Sequence, residues 1–321
     1  MNEGLILLDE KLQITSINPC ACTLFDTGIE CIGSGIESII KDNGIKERML
    51  KGIKNNNTEA FFEIASEKYR VEINSVALGN NSNNILIIIF NISEYENSEK
   101  MRREFTANVS HELKTPLQSI SGYAELLNNG LARPEDTKNF VGKIYSEAQR
   151  MIHLIEDIIH LSRLDEGAAD MTSETVDIYE IAKETADNLY SEAQQASVEI
   201  SVHGSSAKIS AIPHLISGII FNLCDNAIKY NKKNGSVDII VENDDKNVIL
   251  TVKDTGIGIP SEDYARIFER FYRVDKSRSK EVGGTGLGLS IVKHAAIIHK
   301  AKIELKSIIN KGTSIIVTFP K

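Results

Sequence analysis

Between Val109 and Leu127 the residues Val109, Leu113, Pro116, Ile120, Tyr123 and Leu127 step by 4, 3, 4, 3 and 4. This spacing keeps one side of a helix apolar over its whole length, as in the seam of a helical bundle. The segment 130–136, which includes Pro134, interrupts the pattern and offers a start for a second helix. There Ile144, Ala148, Met151, Ile155 and Ile158 step by 4, 3, 4 and 3, and the pattern ends near Gly167. Ile152, Leu154, Ile159 and Leu161 widen this second stripe beyond what one hairpin can cover. Pairing two hairpins into a four-helix bundle buries it, so a homodimer is expected.

The hairpin sits in the middle of 321 residues, enough for two or three domains. Residues 1–93 read as a mixed α+β module with strands at 5–8, 12–17, 69–76 and 84–92, separated by turn compositions at 55–57 and 79–84. The first histidine in the chain is His111, so a His-ligated haem is not expected in this module. A charged helical linker starts at Ser93. Beyond Gly167 the pattern predicts helices over 178–195, 213–230, 261–271 and 286–299, with strands at 198–202, 237–241, 248–253, 303–307 and 314–319. The last two strands are hinged at Lys311 and Gly312, and the whole reads as an α/β sandwich. The expected organisation is a multidomain α+β chain divided at 1–93, 94–168 and 169–321.

With 45 acidic and 36 basic residues the net charge is −9, the wrong sign for gripping nucleic acid over a broad surface. Four cysteines, three of them at positions 20, 22 and 31, make no disulfide framework, and a reducing cytoplasmic setting fits them better. No second pair or nearby His completes a metal set around Cys20 and Cys22, so they read as packing residues. The longest apolar run, 85–90, is too short to cross a bilayer, and residues 1–20 lack a signal-peptide pattern. Membrane spans ahead of Met1 in a longer protein remain compatible with this reading.

His111 lies two residues beyond Val109, which turns it about 160° from the buried seam and into water. Pro116 removes the N–H that would bond the Glu112 carbonyl and loosens this turn, at roughly 3 kcal/mol in a helix interior. An exposed imidazole beside so costly a proline suggests a working site; alone, it would read as a solvated histidine near a kink.

Ser110-His111-Glu112-Leu113-Lys114-Thr115-Pro116-Leu117 resembles the phosphoacceptor box of sensor histidine kinases. Four further boxes of that family follow in order: Asn222-Leu223-Cys224-Asp225-Asn226-Ala227-Ile228-Lys229-Tyr230, Asp254-Thr255-Gly256-Ile257-Gly258-Ile259, Ile267-Phe268-Glu269-Arg270-Phe271-Tyr272-Arg273 and Gly283-Gly284-Thr285-Gly286-Leu287-Gly288-Leu289. The resemblance covers 100–321 and implies a Bergerat-type (GHKL) ATP fold behind the dimeric hairpin. Residues 1–93 resemble a PAS sensor module through 3–9 and 91–93. At two places the chain departs from the family: Ala211 replaces an acid, and Lys300-Ala301 replaces glycines, both expected to alter local turns.

The chemistry of the boxes agrees with the resemblance. Asn222, Asn226, Lys229 and Tyr230 fall nearly on one helical face, where amide oxygens suit hydrated Mg²⁺, an ammonium suits phosphate and a phenol ring can lie on a base. Lone asparagines there would read as caps on a core helix. Asp254 ends a strand before Gly256 and Gly258, where its carboxylate can accept from the adenine amino group. Gly284, Thr285, Gly286, Leu287 and Gly288 allow backbone to approach phosphates. Arg270 and Arg273 precede this lid, and Lys276, Arg278 and Lys280 lie inside it; one or two guanidiniums are expected to reach the triphosphate. Phe268 and Phe271 read as lid anchors, and His153, His160, His203, His214, His294 and His299 lie outside any ligand spacing.

The resemblance implies attack of neutral His111 on the γ-phosphate of Mg·ATP with Glu112 accepting or orienting the ring proton, then transfer to an aspartate of a response regulator receiver domain. Thr115, one turn from His111, is expected to position water for dephosphorylating the regulator. The alternatives are a dimeric non-catalytic scaffold, opposed by the intact His111, Asn226 and Asp254, and a mechanical GHKL ATPase, which needs no exposed His on a bundle.

Overall fold

A computed structural model describes residues 3–54, 59–64, 67–77, 83–165, 172–274 and 284–321. The chain divides into two compact units, Met1–Thr106 and Ala107–Lys321.

In the first unit, strands β1 (Gly4–Leu8), β2 (Ile14–Ile17), β3 (Glu59–Ile64), β4 (Glu67–Ala77) and β5 (Asn83–Asn91) form an antiparallel sheet in the order β2-β1-β5-β4-β3. Alternation along β1 and β5 turns Ile6, Leu8, Ile87 and Ile89 into a core with Met49 of helix α2 (Asn43–Lys54). Asn18 caps helix α1 (Pro19–Leu24) by accepting from Ala21 N–H at 2.9 Å, and the same oxygen accepts from Leu5 N–H at 2.9 Å. Most of the segment expected as turn at 79–84 lies outside the described residues, as does that at 55–57.

Helix α3 (Ser93–Asn128) runs from the first unit into the second, and α4 (Pro134–Asp165) follows with Pro134 at its start. Tyr123 packs against Phe140 in a tilted pair with centroids 5.3 Å apart, tying the two helices together. Ile152, Ile155 and Ile159 stay 44–48% exposed. Leu154 and Leu161, expected on that outward stripe, are instead buried, because α4 packs against a helix of the sandwich.

The sandwich has the strand order β11-β12-β10-β9-β7, from β7 (Val198–Gly204), β9 (Gly235–Asn243), β10 (Asn247–Asp254), β11 (Lys302–Ile308) and β12 (Gly312–Pro320), with β7 and β9 parallel and the other neighbours antiparallel. Helices α5 (Ile178–Gln195), α6 (Pro213–Lys229) and α7 (Gly288–Ile298) pack together over the sheet, and α7 is the helix met by α4. Leu215, Ile216, Ile219, Ile220 and Leu223 form the buried face of α6, each contributing about 1.5–3 kcal/mol. A small sheet pairs β6 (Glu174–Asp177) with β8 (Lys208–Ala211).

One expectation is corrected. The helix predicted over 261–271 is only a 3-10 turn, Ser261–Asp263, followed by irregular turns; Phe271 sits at φ 63° and its N–H bonds to the Gly286 carbonyl instead of continuing a helix. At the end of α7, Lys300 takes the left-handed conformation (φ 53°) and its N–H bonds to the Ile297 carbonyl.

Candidate active site

The imidazole of His111 is exposed on α3 and Pro116, five residues on, is buried. The Thr115 hydroxyl donates to the His111 carbonyl at 3.2 Å, so at rest it is committed to its own helix. Glu112 is 28% exposed and lies between two guanidiniums: Arg150 of α4 at 3.5 Å and Arg273 of the sandwich at 3.3 Å. Arg273, only 10% exposed, also donates to the Gly284 carbonyl. The residue beside His111 and the segment before the second glycine box therefore meet through one ion pair.

Two turns further along α4, Asp157 accepts from the Thr285 hydroxyl at 2.7 Å, and that hydroxyl oxygen accepts from Leu287 N–H at 3.2 Å. Burial pushes the Asp157 carboxyl above its ordinary pKa, with the Thr285 hydrogen bond and the charges of His160, Lys229 and His153 opposing.

The polar face of α6 is uneven. The Asn222 amide donates to the Gly218 carbonyl at 2.8 Å, leaving Oδ1 in the space that a side chain at Gly288 would need. Lys229 is engaged with Asp225 at 2.6 Å, whereas the Asn226 side chain makes no hydrogen bond among the described residues. The Tyr230 hydroxyl lies beside Gly284; burial raises its pKa, and Arg273 and Lys229 oppose.

The first glycine turn is stitched to the end of α6. One oxygen of Asp254 accepts from Gly256 N–H at 2.7 Å and Thr313 N–H at 3.2 Å, which leaves the other oxygen for a ligand. Burial raises the Asp254 pKa, and those two N–H donors oppose it. A Cβ at Gly256 would stand 2.3 Å from the Tyr230 carbonyl oxygen, so only glycine fits there. Gly258 and Gly286 take positive φ, 71° and 75°. Asn231, which the sequence reading passed over although it directly follows Tyr230, donates to the carbonyls of Ala227 and Ser236 at 3.0 Å each and accepts from the Thr255 hydroxyl at 3.2 Å. It locks the turn to the helix.

Arg273, Gly284 and Glu112 are thus gathered beside the Tyr230 hydroxyl, and the Tyr230 carbonyl faces Gly256 next to Asp254. Arg270 meets His294 of α7 at 3.1 Å. His299 accepts the Ile212 N–H at 3.0 Å just before α6. Lys276, Arg278 and Lys280 lie outside the described residues. Arg150 and Asp157 were not singled out from sequence, and no local pattern marks them.

The amide oxygens of Asn222 and Asn226 are hard donors suited to Mg²⁺, and the free oxygen of Asp254 suits an amino-group donor, so the residues present fit a Mg·nucleotide.

Two family models match the chain: the His Kinase A (phospho-acceptor) domain over residues 101–167 and the Histidine kinase-, DNA gyrase B-, and HSP90-like ATPase over 211–321. A sensor protein kinase WalK of Staphylococcus saprophyticus is 31% identical across 100% of this chain, which covers 53% of that relative. A WalK of Staphylococcus aureus is 30% identical, and the chain covers 79% of it. The chain spans about half the length of most curated relatives it matches. The histidine kinase ThkA, solved in complex with the response regulator protein TrrA, shares the fold at a TM-score of 0.55, covering 99% of this chain and 95% of its own, at 21% identity. The chain belongs to the sensor histidine kinases of two-component systems.

Proposed function

We propose that the chain is the signalling part of such a kinase: a PAS-like sensor in residues 1–93, a dimerising phosphotransfer hairpin in 94–168 and an ATP-binding domain in 169–321. The observation that carries the reading is the ion pair between Glu112, next to His111, and Arg273, beside the second glycine box. It links the phosphoacceptor helix to the phosphate end of the nucleotide site.

In the reaction, a neutral His111 nitrogen attacks the γ-phosphorus of ATP, the bond to the ADP oxygen breaks, and the ring proton passes to Glu112. Asp254 holds the adenine amino group, Tyr230 lies against the base, and Gly256 and Gly258 shape that end of the cleft. Asn226 and Asn222 would hold a Mg²⁺, which when bound would neutralise phosphate charge. Lys229, Arg270, Arg273 and the backbone of Gly284, Thr285, Gly286, Leu287 and Gly288 serve the phosphates. Lys229 must first release Asp225. The phosphoryl group then passes to an aspartate of a receiver domain. Thr115 exchanges its bond to the His111 carbonyl for a water used in regulator dephosphorylation.

The exposed Ile152, Ile155 and Ile159 support a homodimer through the hairpin. We place the chain as the cytoplasmic portion of a membrane sensor; among the described residues no helix is long and apolar enough to cross a membrane. The net charge of −9 disfavours nucleic acid as a partner. The test is incubation with γ-labelled Mg·ATP, followed by addition of a receiver domain. Acid-labile label on the chain that moves to the receiver is expected; a chain that binds ATP and takes no label would overturn the reading.

A further inference from the structure

Arg150 lies on α4, outside all the motifs above, with a side chain 19% exposed. Its guanidinium pairs with two carboxylates, Glu112 across the hairpin at 3.5 Å and Glu147 one turn earlier on its own helix at 3.9 Å. Glu112 has a second cation in Arg273 at 3.3 Å. These two arginines differ in what else they must do. Arg273 already divides its donors between Glu112 and the Gly284 carbonyl, and on the reading above it turns to the triphosphate when ATP is bound. Arg150 is carried by the hairpin that also carries Glu112, so it has no reason to leave. A carboxylate only 28% exposed that lost its sole cation would be costly to keep ionised and oriented.

We propose that Arg150 is a positioning residue for phosphotransfer: it is the standing counter-ion that holds Glu112 beside His111 while Arg273 is engaged elsewhere. Glu147 shares the charge of Arg150 at 3.9 Å without a hydrogen bond to it. The inference rests on the reading of Glu112 as the group that takes or orients the imidazole proton. It adds a residue that touches neither nucleotide nor phosphoryl group.

The test uses the whole chain and γ-labelled Mg·ATP. Arg150→Gln is expected to lower the rate of His111 labelling at saturating ATP about ten-fold or more, within the range of an impaired proton acceptor, with KM for ATP changed less than about two-fold. Arg150→Lys keeps a cation at a pairing that is not bidentate and should recover to within about three-fold of the unsubstituted chain. In a Glu112→Gln background, Arg150→Gln should cost little more, because its route of action has already been removed. Losses that multiply in the double variant, or an Arg150→Gln rate equal to that of the unsubstituted chain, would overturn the inference alone. If Arg150→Gln fails to fold by circular dichroism, Arg150→Lys decides: near-full labelling supports the role and a folded but inactive variant rejects it. Failure of the unsubstituted chain to label would instead remove the functional reading itself.

Discussion

The two glycine segments flanking the candidate nucleotide site are held in different ways. The first, at Asp254 to Gly258, is anchored entirely by the sandwich: Asp254 accepts from Gly256 and Thr313, Ile257 N–H bonds to the Tyr230 carbonyl, and Thr255 bonds to Asn231. The second, at Gly284 to Gly288, takes contacts from the hairpin, through Thr285 to Asp157 and through Arg273 to Glu112. On the proposed reading the adenine end would be preformed, while the phosphate end would be coupled to the hairpin that carries His111. Substitutions at the first should change affinity for any adenine nucleotide, and substitutions at the second should distinguish ATP from adenosine.

The largest expected effect is at Asn226. Asn226→Asp sets a carboxylate where, on the proposed reading, phosphates and metal would gather, and turnover should fall by about 10²–10³-fold, the scale of losing one transition-state contact. Measured labelling within ten-fold of the unsubstituted chain would place the metal elsewhere. Next is Asp254→Ala, expected to weaken ADP and adenosine alike by roughly 100-fold, about 2.7 kcal/mol, in calorimetric titration. A loss confined to ADP, with adenosine unchanged, would collapse the distinction between the two ends.

Asp157 sharpens the comparison from the other side. Its carboxyl has a raised pKa when folded, so the folded chain binds that proton more tightly than the unfolded one. The contribution to stability is complete below the ordinary value and is lost as pH rises through the raised one. At neutral pH the buried charge thus opposes folding. Asp157→Asn keeps an acceptor for Thr285, so the variant should melt higher at pH 7, with the gap closing as pH falls toward 4. It should also raise ATP affinity by about five-fold, by removing negative charge near the phosphate end, and leave adenosine unchanged. Equal shifts for ATP and adenosine would show that the second segment is not separately coupled.

The smallest effect lies at the far end of α7. Lys300 is held at φ 53°, which glycine adopts without strain, so Lys300→Gly should add about 0.5–1 kcal/mol, seen as a rise of a few degrees in melting temperature. Nucleotide affinity should not move. A lower melting temperature would mean that the lysine side chain contributes more than its backbone costs.

The sequence disclosed what depends on neighbours along the chain. The hairpin seam, the break at Pro134, helix α5 and the antiparallel strands of the sandwich follow from period and turn chemistry, and the sharp turn at Gly256 follows from its glycine. The misread segment 261–271 has helix-compatible composition, but its course is set by Phe271 bonding to Gly286, a contact no local pattern encodes. Strands β6 and β8, four residues each, were missed because such runs are too short to display a period. Leu154 and Leu161 were legible as apolar, but not as facing α7 rather than a second hairpin. Arg150 and Asp157 find their partners across long stretches of chain: Thr285 stands 128 residues from Asp157. The motifs name Glu112 and Arg273 separately, 161 residues apart, and say nothing of their pairing.

The central claim is that this coupled site phosphorylates His111. His111→Gln, incubated with γ-labelled Mg·ATP and quenched in alkali, tests it most directly. The account predicts ATP affinity equal to that of the unsubstituted chain and no acid-labile label on the variant. Acid-labile label retained on His111→Gln would contradict it.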